Sequence, residues 1–111
     1  MKHYPAHANK TEAKIINKII TSALKNGYSI GVFDGEDYSL LRSTTRKEIK
    51  AECFATDETT LMFNRRDFDA AQVGWVWLIH GNGSDIISDY ADNPETEAIL
   101  ENANRYAEEL S

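Results

Sequence analysis

The chain has 111 residues, 41% of them hydrophobic and 27% charged, and a mean hydropathy of −0.50. A chain of that length closes one core but not two, and the composition excludes a disordered polypeptide. The formal net charge of −6 disfavours nonspecific association with nucleic acid or an anionic membrane.

No apolar run approaches the ~20 residues needed to cross a bilayer, and the opening MKHYPAHANK lacks the apolar core of a secretory signal. Cys53 is the only cysteine, so no internal disulfide can form, and a cytoplasmic setting is expected. Charge is unevenly spread. Residues 1–50 carry nine Lys and Arg against five Asp and Glu, whereas residues 51–111 carry three against thirteen. The simplest reading folds a basic helix against an acidic one within the domain. The other aims an acidic surface at a basic partner.

Residues 1–8 are short of apolar side chains and read as a mobile tail, which leaves 9–111 as one domain. A first helix is expected over about Lys10 to Asn26, with Asn9 as cap and Glu12 completing a capping box. Ala13, Ile16, Ile20 and Ala23, with Ile19 and Leu24, recur at helical spacing and mark its buried face; Lys10, Lys14, Lys18 and Lys25 fall opposite. Asn26-Gly27 is its stop. Two strands, Tyr28–Phe33 and Tyr38–Arg42, flank the turn Asp34-Gly35-Glu36-Asp37. A capping box of Thr45 and Glu48 opens a short helix to about Ala55, burying Ile49, Cys53 and Phe54. Thr59–Arg65 alternates as a half-buried strand does, with Leu61 and Phe63 on one face and Met62 on the other.

Val73–His80 is apolar on both faces, Val73, Trp75, Trp77 and Ile79 on one and Val76 and Leu78 on the other. Such a strand is expected mid-sheet with both sides at least partly covered. Gly81-Asn82-Gly83-Ser84 is a tight turn into a strand over Asp85–Tyr90 with Ile86 or Ile87 inward. Asn93-Pro94-Glu95 starts a last helix to about Leu110, whose inner stripe is Ile99, Leu100, Ala103, Tyr106, Ala107 and Leu110. The order α-β-β-α-β-β-β-α gives an α+β fold: a largely antiparallel sheet of about five strands with three helices.

The run from Gly74-Trp75-Val76 through Gly81-Asn82 to Asp85-Ile86-Ile87-Ser88-Asp89-Tyr90-Ala91-Asp92-Asn93 resembles a core shared by small phage- and prophage-encoded proteins, and Gly31–Asp37 with Leu40–Thr44 is similar to the same group. The resemblance implies a setting, an accessory protein of a bacterium or phage, and no chemistry.

Candidate chemistry is thin. Asp85, Asp89 and Asp92, with Asn82, Ser88 and Asn93, offer oxygen ligands, but their spacing is not that of a calcium loop, and turn and capping chemistry explains them. Gly81-Asn82-Gly83 lacks the lysine and following helix of a phosphate loop. His80 could pair with Asp85 across the hairpin as a proton-transfer couple, yet no nucleophile stands beside it. Cys53 is expected to be a buried, inert thiol. Met1-Lys2-His3 has the spacing of an amino-terminal copper or nickel chelate, which arises often by chance. The aromatic set of Trp75, Trp77, Tyr28 and Tyr38 could stack single-stranded bases, but acidic neighbours would repel a phosphate backbone, and core packing is the expectation.

Asp89, Asp92, Glu95, Glu97, Glu101, Glu108 and Glu109 form the strongest single-sign set and are the candidate partner-binding residues. The expected function is therefore a non-enzymatic interaction protein that binds, and inhibits, a basic host protein, with no cofactor, metal, nucleic acid or membrane involved. An immunity or antitoxin-like protein that neutralises a cognate toxin is the alternative, followed by a small hydrolase using His80 and Asp85. Self-association of two copies is a separate expectation, through a sheet edge or through the lysine stripe and acidic helix.

Overall fold

The computed structural model describes residues 6–53, 57–67 and 71–110, with side chains from Lys10 onward. It is an α+β fold of three helices and a five-stranded antiparallel sheet. The elements are α1 (Ala6–Lys25), β1 (Tyr28–Phe33), β2 (Tyr38–Ser43), α2 (Arg46–Cys53), β3 (Glu58–Arg65), β4 (Gln72–Ile79), a 3-10 turn (Gly83–Asp85), β5 (Ile87–Tyr90) and α3 (Pro94–Leu110). The strands lie in the order β2-β1-β3-β4-β5. Both β2 and β3 pair antiparallel with β1 and so run parallel to each other, which is why the connection between them needs α2 rather than a tight turn.

The core sits between one face of this sheet and the helices. Ile15, Ile16, Ile19, Ile20 and Ala23 of α1 and Ile99, Leu100 and Ala103 of α3 are fully or almost fully enclosed there. They meet Ile30 and Val32 of β1, Leu61 and Phe63 of β3, and Val76 and Leu78 of β4, all at 0% exposure. Each such aliphatic side chain contributes about 1.5–3 kcal/mol by leaving water. Gly74 of β4 faces α3 at close quarters: a Cβ there would collide with the Thr96 hydroxyl, so only glycine lets the helix lie this near the strand.

Local chemistry explains most boundaries. Gly27, at φ +86°, closes α1 with its N–H on the Leu24 carbonyl. In the β1–β2 turn Asp34 Oδ1 accepts the Glu36 and Asp37 N–H groups at 2.9 and 2.8 Å, and those two bonds hold the Asp34 carboxyl below its usual range. Asn93 caps α3 by accepting the Thr96 N–H at 2.8 Å, while its amide donates to the Val73 carbonyl and ties the helix start to β4.

Four boundary readings change. α1 begins at Ala6, ahead of Lys10, so Asn9 lies inside the helix and cannot cap it. Residues 6–8 of the expected tail are thus helical, and Met1-Lys2-His3 falls outside the described residues. Glu12 serves the Gly81–Gly83 turn instead of a capping box. At α2 the Glu48 carboxylate is held by the Ser43 hydroxyl at 2.8 Å, and that same hydroxyl oxygen accepts the Thr45 N–H, so the anchor lies two residues earlier than expected. Phe54 and Ala55 lie outside the described residues. The Gly83–Asp85 turn delays β5 to Ile87 and buries Ile86 ahead of it. Leu110 ends α3 at 48% exposure rather than on its inner stripe, because the core beneath the last turn has already ended.

Candidate binding surface

The molecule is 21 Å across its shortest dimension, which accommodates one sheet and one layer of helices at about 10 Å each. Among the described residues, the second face of the sheet therefore has no helix over it. The expectation that both sides of β4 are at least partly covered is met unevenly, with one side buried and the other half-buried or, at Trp77, exposed. Its period-two pattern is as read, with Gly74, Val76 and Leu78 buried, but the alternate positions turn outward: Trp75 is half-buried and Trp77 is 37% exposed. The rings stay apolar in contact yet remain reachable from solvent.

Register fixes what lies beside them. One row across the sheet joins Tyr38, Phe33, Thr60, Trp77 and Asp89, and another joins Gly31, Met62 and Trp75. Tyr38 and Phe33 rings pack with centroids 5.0 Å apart. On the edge strand β2, Tyr38 is 49% and Leu41 66% exposed. Because Gly31 has no side chain, a recess of 180 Å³ opens between Tyr38, Leu41 and Arg42 on one side and Met62 and Asn64 on the other. Arg42 stands at its rim with φ +49°, a left-handed backbone costing about 1 kcal/mol in a residue that is not glycine. That kink also blunts β2 as a template for another strand.

Acids frame the opposite end. Glu58 accepts the Trp77 Nε1–H at 3.1 Å and fixes the indole; Asp89 is directly opposite Trp77 on β5; the turn with Asp34, Glu36 and Asp37 lies at the same end. Aromatic and aliphatic side chains exposed inside a charged frame are the composition of a protein-binding patch, since Trp and Tyr supply contact area at small entropic cost. The same acids disfavour a nucleic-acid backbone.

The seven acids proposed from sequence do not form one patch. Asp89 belongs to the sheet face, where its Oδ1 accepts the Tyr90 N–H. Asp92 is exposed in the link to α3. Glu95 is engaged by Arg65 at 3.0 Å and by the Tyr28 hydroxyl at 3.3 Å. Burial raises the Tyr28 hydroxyl pKa, and the Glu95 charge adds to it. Glu97, Glu101 and Glu108 share one flank of α3, where Arg105 pairs with Glu101 at 3.1 Å, and Glu109 is exposed near its end. Arg65 and Arg66, the latter donating to the Leu24 and Tyr28 carbonyls, are cations whose tertiary roles the sequence pattern does not reveal.

Inside the fold, His80 meets Glu12 rather than Asp85. Its Nδ1 is 3.9 Å from Glu12 Oε1, while Asp85 is exposed. Burial lowers the His80 pKa, with Glu12 opposing in part, so the ring is neutral at pH 7 and the contact is not an ion pair there. Glu12, only 1% exposed, accepts the Gly81 and Gly83 N–H groups at 2.8 and 2.7 Å. Thr59 Oγ1 donates to the Cys53 carbonyl at 2.8 Å and lies 3.1 Å from His80 Nε2. Burial pushes the Cys53 thiol up to about 12, so it stays protonated and unreactive. With every member enclosed, this cluster ties α1, β3 and the glycine turn together. Among the described residues, no group of three His, Cys, Asp or Glu side chains could hold a metal ion, and no helix is long and apolar enough to cross a membrane.

Comparison with protein-family models, with curated proteins and with solved structures returns no match.

Proposed function

We propose that this chain is a non-enzymatic binding module of bacterial or phage type, which uses the uncovered face of its sheet to occupy a basic surface of a partner protein. The observation that carries the reading is the exposure of the Trp77 indole, held by Glu58 and opposite Asp89, on the same sheet face that exposes Tyr38 and Leu41 on the edge strand β2. A partner matched to it presents an apolar centre ringed by Lys or Arg, so that rings are desolvated at the middle and charges meet at the rim. Binding there also blocks whatever that basic surface does, which is how inhibition follows from occupancy. Relative to the sequence reading, the contact moves from the α3 acids to the sheet.

The test is capture from bacterial lysate at moderate salt by immobilised wild-type protein, by Tyr38→Ala and Trp77→Ala, and by Glu97→Lys as a helix-side control. The expected result is a partner retained by wild type and by Glu97→Lys. Loss of a hot-spot aromatic costs 2 kcal/mol or more, about a 30-fold weakening, so both sheet variants should lose it. Equal capture by all four proteins, or no specific partner for wild type, overturns the proposal.

A further inference from the structure

On β2 the chain spends two residues where β1 spends one: Ile30 pairs with Ser43 and Val32 with Leu40, so Leu41 and Arg42 both stand opposite Gly31. This is a β-bulge, a device that re-aims side chains at a sheet edge. It brings Leu41 and Arg42 to the recess of 180 Å³ that has Gly31 as its floor and Tyr38 and Met62 among its walls. Asn64 and Gln72 add amide groups to the lining. The Arg42 backbone sits at φ +49°. Glycine would hold that conformation without strain, so arginine here keeps a guanidinium at a conformational cost. The residue is exposed and, among the described residues, makes no ion pair. A strained residue with an uncompensated charge, at the rim of a recess with apolar walls, points to a ligand rather than to packing.

Size and charge limit what that ligand is. An apolar cavity of about 150 Å³ holds a single benzene ring, and pockets for drug-sized molecules begin at about 300 Å³. The recess therefore admits one residue and excludes a nucleotide or a larger cofactor. Its walls ask for an apolar side chain. Arg42 asks for a carboxylate, which a guanidinium meets with two parallel hydrogen bonds. Because only one residue fits, both groups belong to the same residue. Asp and Glu carry a carboxylate without the apolar body, and an apolar residue carries one only at the end of a chain. We propose that the recess above Gly31 binds the C-terminal residue of a partner protein, an aromatic or large aliphatic side chain lying between Tyr38, Leu41 and Met62 with its α-carboxylate on Arg42. The inference rests on the sheet being the binding face, and it gives that face a polarity. Glu58 lies four residues from Met62 along β3, about 13 Å at the rise of a strand, so the partner's Lys or Arg side chains meet the acids about that far from its terminal carboxylate.

Titration of the isotope-labelled full chain with N-acetylphenylalanine, followed by the NMR shifts of its backbone amides, tests this without a partner in hand. N-acetylphenylalaninamide lacks the charge, and acetate lacks the ring. The expected result is saturable shifts at Gly31, Leu41, Arg42 and Met62, with a Kd of about 1 mM for N-acetylphenylalanine. The uncharged amide should bind about fivefold more weakly, the worth of one exposed ion pair, and acetate should leave Gly31 and Met62 unmoved. Arg42→Gln should bring N-acetylphenylalanine down to the affinity of the amide, and Arg42→Lys should restore part of the difference. No saturable shift up to about 10 mM, equal binding of the two phenylalanine derivatives by wild type, or the same shifts from acetate overturns the proposal. Two outcomes separate it from the broader reading. A lysate partner retained through Trp77 by a chain that ignores N-acetylphenylalanine overturns the recess and keeps the binding face. N-acetylphenylalanine bound as expected by a chain that captures no partner supports the recess and overturns the wider face.

Discussion

The two faces of one sheet make the instructive contrast in this molecule. Along β4, Gly74, Val76 and Leu78 are closed off by α1 and α3, while Trp75 and Trp77, larger and more apolar, look outward. On β3 the same division separates Leu61 and Phe63 from Thr60, Met62 and Asn64. Hydrophobicity alone does not decide which side is interior. Close packing against the helices decides, and Gly74 beneath Thr96 marks a close approach that any side chain would block. The outer face keeps its rings because, among the described residues, no helix covers them.

The largest expected effect separates the faces by stability. Phe63→Ala empties a fully enclosed site and should cost about 3–5 kcal/mol, whereas Met62→Ala, the next residue on the half-exposed face, should cost under about 1.5 kcal/mol. Denaturant unfolding measures both. Equal losses would mean that the outer face is as well covered as the core and would remove the surface from consideration.

A second contrast lies between acids. Glu12 is enclosed and serves two backbone N–H groups, while Glu97 is exposed and makes no ion pair among the described residues. Glu12→Ala leaves both N–H groups without their acceptor and should cost about 3 kcal/mol, against less than about 0.5 kcal/mol for Glu97→Ala. Thermal unfolding of the two variants under the same conditions distinguishes them.

How much of this was legible from residues differs between the two sides. Element order, the antiparallel sheet, the inward Leu61 and Phe63, the Gly27 stop and the Asn93 cap all follow from period and local chemistry, which act over a few neighbours. Glu12 shows what does not. Its position three residues after Asn9 suits a capping box, and only the fold brings Gly81 and Gly83 to it across 69 and 71 residues. Likewise the period of Trp75 and Trp77 puts them on one face without saying what covers that face. The pairing of Trp77 with Asp89 depends on a register shift in β4–β5 that no short-range signal encodes. The uneven division of charge between chain halves suggests internal pairing; α1 and α3 do pack together, but among the described residues no lysine of α1 makes an ion pair.

Protonation sharpens the same buried contrast by a smaller amount. The His80 pKa is depressed in the fold from its ordinary 6.5 by burial, with Glu12 opposing in part. As pH falls through about 6.5 the unfolded chain takes up a proton that the folded chain still refuses, so stability falls, and the loss stops once the folded-state pKa is passed. Within that window the slope is at most about 1.4 kcal/mol per pH unit. The midpoint of urea unfolding at pH 7.5 and 5.5 should therefore drop for the wild type, and His80→Gln should remove the part that belongs to this ring. A variant with an unchanged slope would place the acid sensitivity elsewhere.

The smallest expected stability change is the sharpest test of what the outer face is for. Leu41 is 66% exposed on the edge strand β2, so Leu41→Ser removes little buried area and should shift unfolding by less than about 0.5 kcal/mol. If the face serves only as the back of a core, nothing else changes. If it binds a partner, the same substitution removes an apolar wall of the recess above Gly31 and weakens capture, because contact area there is desolvated only in the complex. Stability and binding then separate at one residue. A Leu41→Ser protein that binds as wild type while Trp77→Ala does not would confine the contact to the β4 side of the sheet; indifference at both positions would return both faces to a structural role.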